Sequence, residues 1–130
     1  MIGQFVQNSE TPIEITKEVV ASTEILDEIL EVENGLKNGA AKDLVKKFGM
    51  ACPLPGSFQS SLVSIIDAKS YPDAIRETIL CGGDSCTRAH LIGSCLAAKF
   101  GIQGIPEEWI VQVDDIEDII EKALVILASK

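Results

Sequence analysis

The sequence predicts an all-α fold, and three observations carry the prediction. Apolar residues recur every three to four positions through most of the chain, the spacing of one helix face. Proline, glycine and capping residues fall between those stretches, where helices begin and stop. No segment alternates apolar and polar residues over the length that a half-buried strand requires. With 130 residues, the chain is expected to form a single domain with a real core.

Residues 1–10 read as an irregular lead-in. Thr11-Pro12-Ile13-Glu14 forms a capping-box pattern, with Thr11 as N-cap and Pro12 at the first helical position. Ile15, Val19, Leu26, Ile29 and Leu30 then supply an apolar stripe, with an interruption at Ser22-Thr23 and an expected end at Asn34-Gly35. A shorter helix is expected from about Ala40 to Phe48, stopped by Gly49. Cys52-Pro53-Leu54-Pro55-Gly56 cannot continue it, because its two prolines lack N–H donors and have fixed φ. Too short and apolar for a linker, this segment reads as a loop over the surface or along a cleft.

A third helix is expected from Ser57 to about Ala68, with Phe58, Leu62, Ile65 and Ile66 on one side. Ser70-Tyr71-Pro72-Asp73 opens the next, with Ala74, Ile75, Ile79 and Leu80 expected inward. After Gly82-Gly83 a helix carries small residues at Ala89, Gly93 and Ala97, which let a neighbour approach closely, and Ile92, Leu96 and Phe100 beside them. Gly101 and Gly104 end it. Ile105-Pro106-Glu107-Glu108-Trp109 opens a short helix with acids in its first turn, as the helix dipole prefers. Asp114 to Glu117 repeats an N-cap pattern before Ile116, Ile119, Ile120, Ala123, Leu124 and Leu127.

Charge narrows the partners. Twenty acidic against eleven basic residues give −9, and no basic run exceeds Lys46-Lys47, so neither nucleic acid nor an anionic membrane is an expected partner. No apolar run approaches the ~20 residues that span a bilayer. The first ten residues show no positive charge ahead of an apolar run, so no secretory signal is visible and a cytoplasmic location is expected. Cys52, Cys81, Cys86 and Cys95 include no CxxC pair and read as reduced thiols, and with His90 the single histidine, a zinc site fits poorly.

Gly82-Gly83-Asp84-Ser85-Cys86-Thr87-Arg88 is the densest cluster of oxygen-bearing side chains at a helix start. Asp84 there serves either as a cap, accepting the N–H of Cys86 or Thr87, or as a ligand to a hard cation. Mg²⁺ takes about six oxygens, more than one short segment supplies, so a functional site needs carboxylates from elsewhere. Asp114-Asp115 is best read as capping, His90 has no partner at a catalytic spacing, and Trp109 reads as core packing. Cys86, near a helix N-terminus, has no paired base to make it a nucleophile.

This junction, the small-residue helix with Ile92-Gly93, Gly101-Ile102 and Ile105-Pro106-Glu107-Glu108-Trp109 together resemble the C-terminal signature of the ADP-ribosylglycohydrolase family. That family reads Gly-Gly-Asp-Thr-Asp-Thr, an Ala/Gly-rich helix, then Ile-Pro-Glu-Glu-Trp in the same order. Pro55-Gly56-Ser57-Phe58 is similar to a motif it places upstream, so the likeness covers roughly residues 50–112.

The resemblance implies an all-α multi-helix orthogonal bundle, two divalent metals, usually Mg²⁺, in a central cleft, and hydrolysis of the bond between ADP-ribose and its acceptor. By position, Asp84, Cys86 and Thr87 correspond to the metal ligands, and no residue is assigned as the catalytic base. Cys86 departs from the pattern, since a soft thiol replaces a carboxylate where Mg²⁺ prefers hard oxygen. The paired-aspartate motif of the N-terminal half and the glycine-rich adenosine segment have no counterpart here. The expectation is a C-terminal portion holding part of a metal site, inactive in isolation, whose uncovered apolar faces favour a second copy or a partner subunit. A non-catalytic helical protein, like the family's lens crystallins, is the second hypothesis. An unrelated acidic interaction domain is the third.

Overall fold

The computed structural model describes residues 23–129, which form seven α-helices and one short 3₁₀ turn, with no strand among them. The capping box at Thr11 and the stripe residues Ile15 and Val19 lie outside the described residues. Helix α1 (Thr23–Asn38) buries Ile29 and Val32 completely. The expected stop at Asn34-Gly35 does not occur, and the helix runs through it to Asn38, whose side-chain amide donates to the Asn34 carbonyl at 2.8 Å. Gly35 has a packing role instead, because a Cβ there would stand 2.9 Å from Leu44 Cδ2 on the next helix. Leu30, expected in the stripe, is 44% exposed, and Val32 takes the inward position.

Helix α2 (Ala41–Phe48) buries Leu44 and Val45 and stops at Gly49, whose φ of 118° lies in the region open to glycine. The proline loop that follows leads into helix α3 (Gly56–Asp67), the central element. Its Leu62 and Val63 join Ile29, Val32, Leu44 and Val45 in one cluster. Its Ile65 joins Ala74, Ile92 and Leu96 in a second. Phe58 and Ile66 are only partly buried.

Serines on the buried face of α3 allow close approach and find partners. The Ser60 hydroxyl donates to the Gly49 carbonyl at 2.6 Å, and that of Ser61 to the Ser57 carbonyl at 2.7 Å. The Gln59 amide reaches Glu31 on α1 at 3.0 Å. A hydroxyl bonded to a carbonyl avoids the desolvation penalty of an unpaired buried polar group.

Helix α4 (Tyr71–Leu80) begins as its sequence predicts, with Ser70 accepting the Asp73 N–H at 3.2 Å and Pro72 in the first turn. Its inward residues are Ala74 and Thr78. Ile79 and Leu80, expected inward, are 55% and 73% exposed, since they fall off the side that faces α3 and α5. Helix α5 (Ser85–Phe100) buries Arg88, Ile92 and Leu96 at four-residue steps. Gly93 lets Tyr71 of α4 come near, its absent Cβ lying 3.2 Å from the Tyr71 hydroxyl.

Gly101 caps α5 with φ 72°, and a 3₁₀ turn, Ile102–Gly104, leads to helix α6 (Glu107–Ile110). Trp109 meets Tyr71 edge-on with ring centroids 6.3 Å apart, and the Arg76 guanidinium lies 5.3 Å from the Trp109 ring centroid. Helix α7 (Ile116–Ala128) starts after Asp115, which adopts φ 56° and makes no side-chain cap bond. Asp115 therefore stands at the N-cap that the Asp114–Glu117 pattern predicts, but its carboxylate does not serve as the cap. No residue of α7 is buried.

Candidate functional site

The Gly82–Arg88 junction is held by backbone geometry before any side chain acts. Gly82 and Gly83 have φ of 77° and 67°, a pair of left-handed steps that turn the chain from α4 into α5. The turn presses Gly83 against the loop after α2, where its backbone lies directly over the Met50 carbonyl. That carbonyl accepts the Asp84 N–H at 2.7 Å, joining the two segments.

Asp84 is the N-cap of α5. Its Oδ1 accepts the Thr87 N–H at 3.1 Å, and its Oδ2 accepts the Thr87 hydroxyl at 2.7 Å. These two Thr87 bonds hold the Asp84 carboxyl below the usual carboxylate range, helped to a lesser degree by the Arg88 charge and the Cys52 thiol; partial burial pulls the other way. Both carboxylate oxygens are thus engaged on the aspartate's own helix. The capping reading of the sequence is the arrangement found, and the two expected ligand oxygens, from Asp84 and Thr87, are adjacent. Cys86, the third expected ligand, is exposed on the first turn of α5.

Mg²⁺ takes about six oxygens at ~2.0–2.1 Å. This junction offers one carboxylate, already bonded twice, and a sulfur where a second carboxylate would serve better. Among the described residues, no three His, Cys, Asp or Glu side chains gather in a way that could hold a metal ion. The described residues therefore do not fit Mg²⁺ by themselves. An apolar groove of about 490 Å³ is lined by Ile25, Glu28, Leu54, Pro55 and Phe58, and a polar one of about 430 Å³ lies between α2, α3 and α4; neither includes Asp84, Cys86 or Thr87.

The residue that sequence reasoning passed over is Arg88. It is fully buried, and four of its hydrogen bonds tie three segments together. Nε donates to the Thr78 hydroxyl at 3.0 Å, and Nη2 donates to the Thr78 and Gly82 carbonyls at 2.9 and 2.6 Å. Nη1 donates to the Met50 carbonyl at 2.8 Å. All four acceptors are neutral. The Thr78 and Gly82 carbonyls stand at the C-terminal end of α4, where the helix dipole carries roughly half a negative charge, and that end offsets the buried guanidinium. A signal was present in the sequence, since Arg88 stands four residues before Ile92 and eight before Leu96, on the same buried stripe.

The cap gives a pH-dependent expectation. A carboxyl with a lowered folded pKa adds stability above its unfolded value and loses it as pH falls through the folded one. Asp84→Ala is expected to melt below the wild type at neutral pH, and the gap should close under acid conditions. A gap that stays constant across a melting series down to acid pH would show that the cap charge contributes nothing.

His90 is exposed on α5 beyond the junction, and its carbonyl accepts the Ser94 hydroxyl at 2.8 Å. Asp114 and Asp115 lie at the start of α7, on a different element from the junction. All four cysteines are free, and burial pushes the Cys95 thiol pKa up.

The chain is 38% identical over 81 residues to crystallin J1A and 35% identical over 81 residues to crystallin J1B, both of Tripedalia cystophora. Each alignment covers 62% of this chain but only 25% of the relative, so the matched stretch spans a quarter of the relatives' length. No solved structure matches the chain. The model of the ADP-ribosylglycohydrolase family matches residues 1–130. With its helical architecture and its Gly-Gly-Asp junction at the mouth of α5, the chain belongs to the ADP-ribosylglycohydrolase family.

Proposed function

We propose that this chain provides the scaffold and part of the ligand set for an ADP-ribosylglycohydrolase-type hydrolase, which releases ADP-ribose from an ADP-ribosylated acceptor. The observation that carries this reading is the Asp84–Thr87 pair, a carboxylate and a hydroxyl 2.7 Å apart on a junction anchored by a buried arginine. The cofactor in this reading is Mg²⁺. Asp84 and Thr87 are the oxygens this chain contributes, Cys86 is a weak third, and the remaining carboxylates come from outside residues 23–129. Hydrolysis then requires those carboxylates, and the described half-site does not run it. Four free cysteines support a reducing, cytoplasmic setting.

Calorimetry tests the metal part. Weak Mn²⁺ or Mg²⁺ binding is expected for the wild type, loss in Asp84→Ala, and tighter binding in Cys86→Asp, which restores a hard ligand. No heat from the wild type, or equal heat from Asp84→Ala, rejects it. ADP-ribose release from a modified protein, assayed with this chain alone, tests the enzymatic part, and no release is expected.

A second reading is a non-catalytic family member with a purely structural role. It is favoured by the thiol at Cys86, by the engagement of both Asp84 oxygens in capping, and by the crystallin names of the curated relatives. Failure of Cys86→Asp to create any metal affinity would select it.

A further inference from the structure

The apolar groove of about 490 Å³ lies beside the point where the described chain begins, and it is independent of the metal question. Ile25 and Glu28 line it from the first two turns of α1, and Leu54, Pro55 and Phe58 from the proline loop and the start of α3. Leu54 and Ile25 in it are 79% and 42% exposed. We propose that residues 12–22 of this same chain dock in the groove as an amphipathic helix, folding back on α1 through a turn at Ser22.

The first argument for that occupant is attachment. Helix α1 opens at Thr23, two residues before Ile25, so residues 1–22 leave the described fold at the edge of the groove. A segment tethered there by a short link acts at an effective concentration around millimolar, which a second copy or a free ligand does not match in dilute solution. The loop it would hold starts near Met50, on whose carbonyl the Asp84 junction rests.

The second argument is the pattern of the segment. Thr11-Pro12-Ile13-Glu14 is a helix start, and at the helical turn of about 100° per residue Ile13, Ile15, Val19 and Val20 share one arc of roughly 160°. Glu14, Lys17 and Glu18 occupy the opposite side. A helix shorter than about 12–15 residues is marginal in water by itself, so one at 12–22 depends on packing its apolar side against something.

Charge points the same way. Glu28 is the only charged residue lining the groove, and it makes no ion pair among the described residues. Lys17 is the only basic residue in positions 1–22, and it falls next to Ile13 at the border of the apolar arc. Docking therefore sets one cation beside one unpaired anion at the rim of an apolar contact.

The test uses the full 130-residue chain with labelled Ile, Leu and Val methyl groups. Nuclear Overhauser contacts are expected from the methyls of Ile13, Ile15, Val19 or Val20 to Leu54 or to the Phe58 ring. Leu54→Glu and Val19→Glu should each lower the folded-to-unfolded ratio about tenfold, because each puts a charge into a covered apolar contact. Their losses should combine to less than the sum, since the two residues share one contact. Ile102→Glu, at a position 65% exposed outside the groove, should leave the ratio as it was.

An absence of those contacts, in spectra that do show Ile29 against the other residues of its buried cluster, overturns the proposal. A Leu54→Glu chain as stable as the wild type overturns it as well, as does strict additivity of the two variants. Contacts that appear between differently labelled chains and not within one overturn it in favour of a second copy in the groove.

Discussion

Arg88→Met is expected to cost about 4 kcal/mol of folding stability, because it orphans several buried acceptors at about 1–3 kcal/mol each and leaves a poorly filled site. The Thr78 and Gly82 carbonyls lose the donor that Arg88 supplies, and so does the Thr78 hydroxyl. The Met50 carbonyl keeps the Asp84 N–H. Against a total stability of ~5–15 kcal/mol, such a loss removes much of the margin that keeps a domain folded. Arg88→Lys should recover little, since an ammonium is a point charge and cannot serve divergent acceptors as the planar fork does. Denaturant unfolding measures both variants. A Lys variant within experimental error of the wild type would mean that charge alone matters there.

A double-mutant cycle separates the contact from the site. Thr78→Val removes the hydroxyl that accepts from Nε and leaves the carbonyl contacts in place. Because Arg88 and Thr78 share one network, the two losses should combine to less than their sum. Strict additivity would count against the arrangement described.

The second large effect concerns two adjacent glycines with similar backbone angles and opposite surroundings. At Gly82 a Cβ meets nothing within 4 Å, so Gly82→Ala carries only the left-handed penalty of about 1–2 kcal/mol. At Gly83 the added methyl would collide with the Met50 carbonyl oxygen and stand 2.6 Å from Met50 Cβ. Gly83→Ala should therefore cost about 4 kcal/mol, as overpacking is added to strain. It should also loosen the bond from the Asp84 N–H to Met50, which hydrogen exchange at Asp84 would report as faster exchange. Equal melting temperatures for the two alanine variants would refute the close approach of the two segments.

Arg88 and Gly83 together explain why a surface carboxylate has a fixed position. The two glycines set the direction of the chain, the Met50 carbonyl receives both the Asp84 N–H and Arg88 Nη1, and Thr87 then fixes the carboxylate. Position at the junction is thus decided by segments that lie more than thirty residues apart, with Arg88 and Met50 separated by 38.

Much of this protein was legible in one dimension, because its cues are local. The stop of α2 at Gly49, the break at Pro53 and Pro55, the Ser70 cap and the Asp84 cap each depend on residues within a few positions of one another. Family membership was equally legible, since ordered motifs survive in sequence whatever their side chains now do. Burial was not legible. Periodicity identifies a helix with an apolar side but does not say whether another element arrives to cover it. Ile79 and Leu80 continue the pattern of α4 and remain in solvent, and the cleanest stripe of all, on α7, buries nothing.

Chemical type misleads in the other direction. Asn34-Gly35 carries a stop signal, yet the helix continues through it, and the missing side chain leaves the space that Leu44 occupies. Arginine is a surface residue by default, yet Arg88 is fully buried, because the carbonyl end of α4 and the Met50 loop supply acceptors that only folding assembles. The sequence by itself determined most helix boundaries, the end of α1 apart, and to which family the chain belongs, because caps, breakers and motifs act over a turn or two. Only the tertiary structure decided which faces are covered and where the one buried charge lies among the described residues, because solvation depends on neighbours brought in from distant parts of the chain.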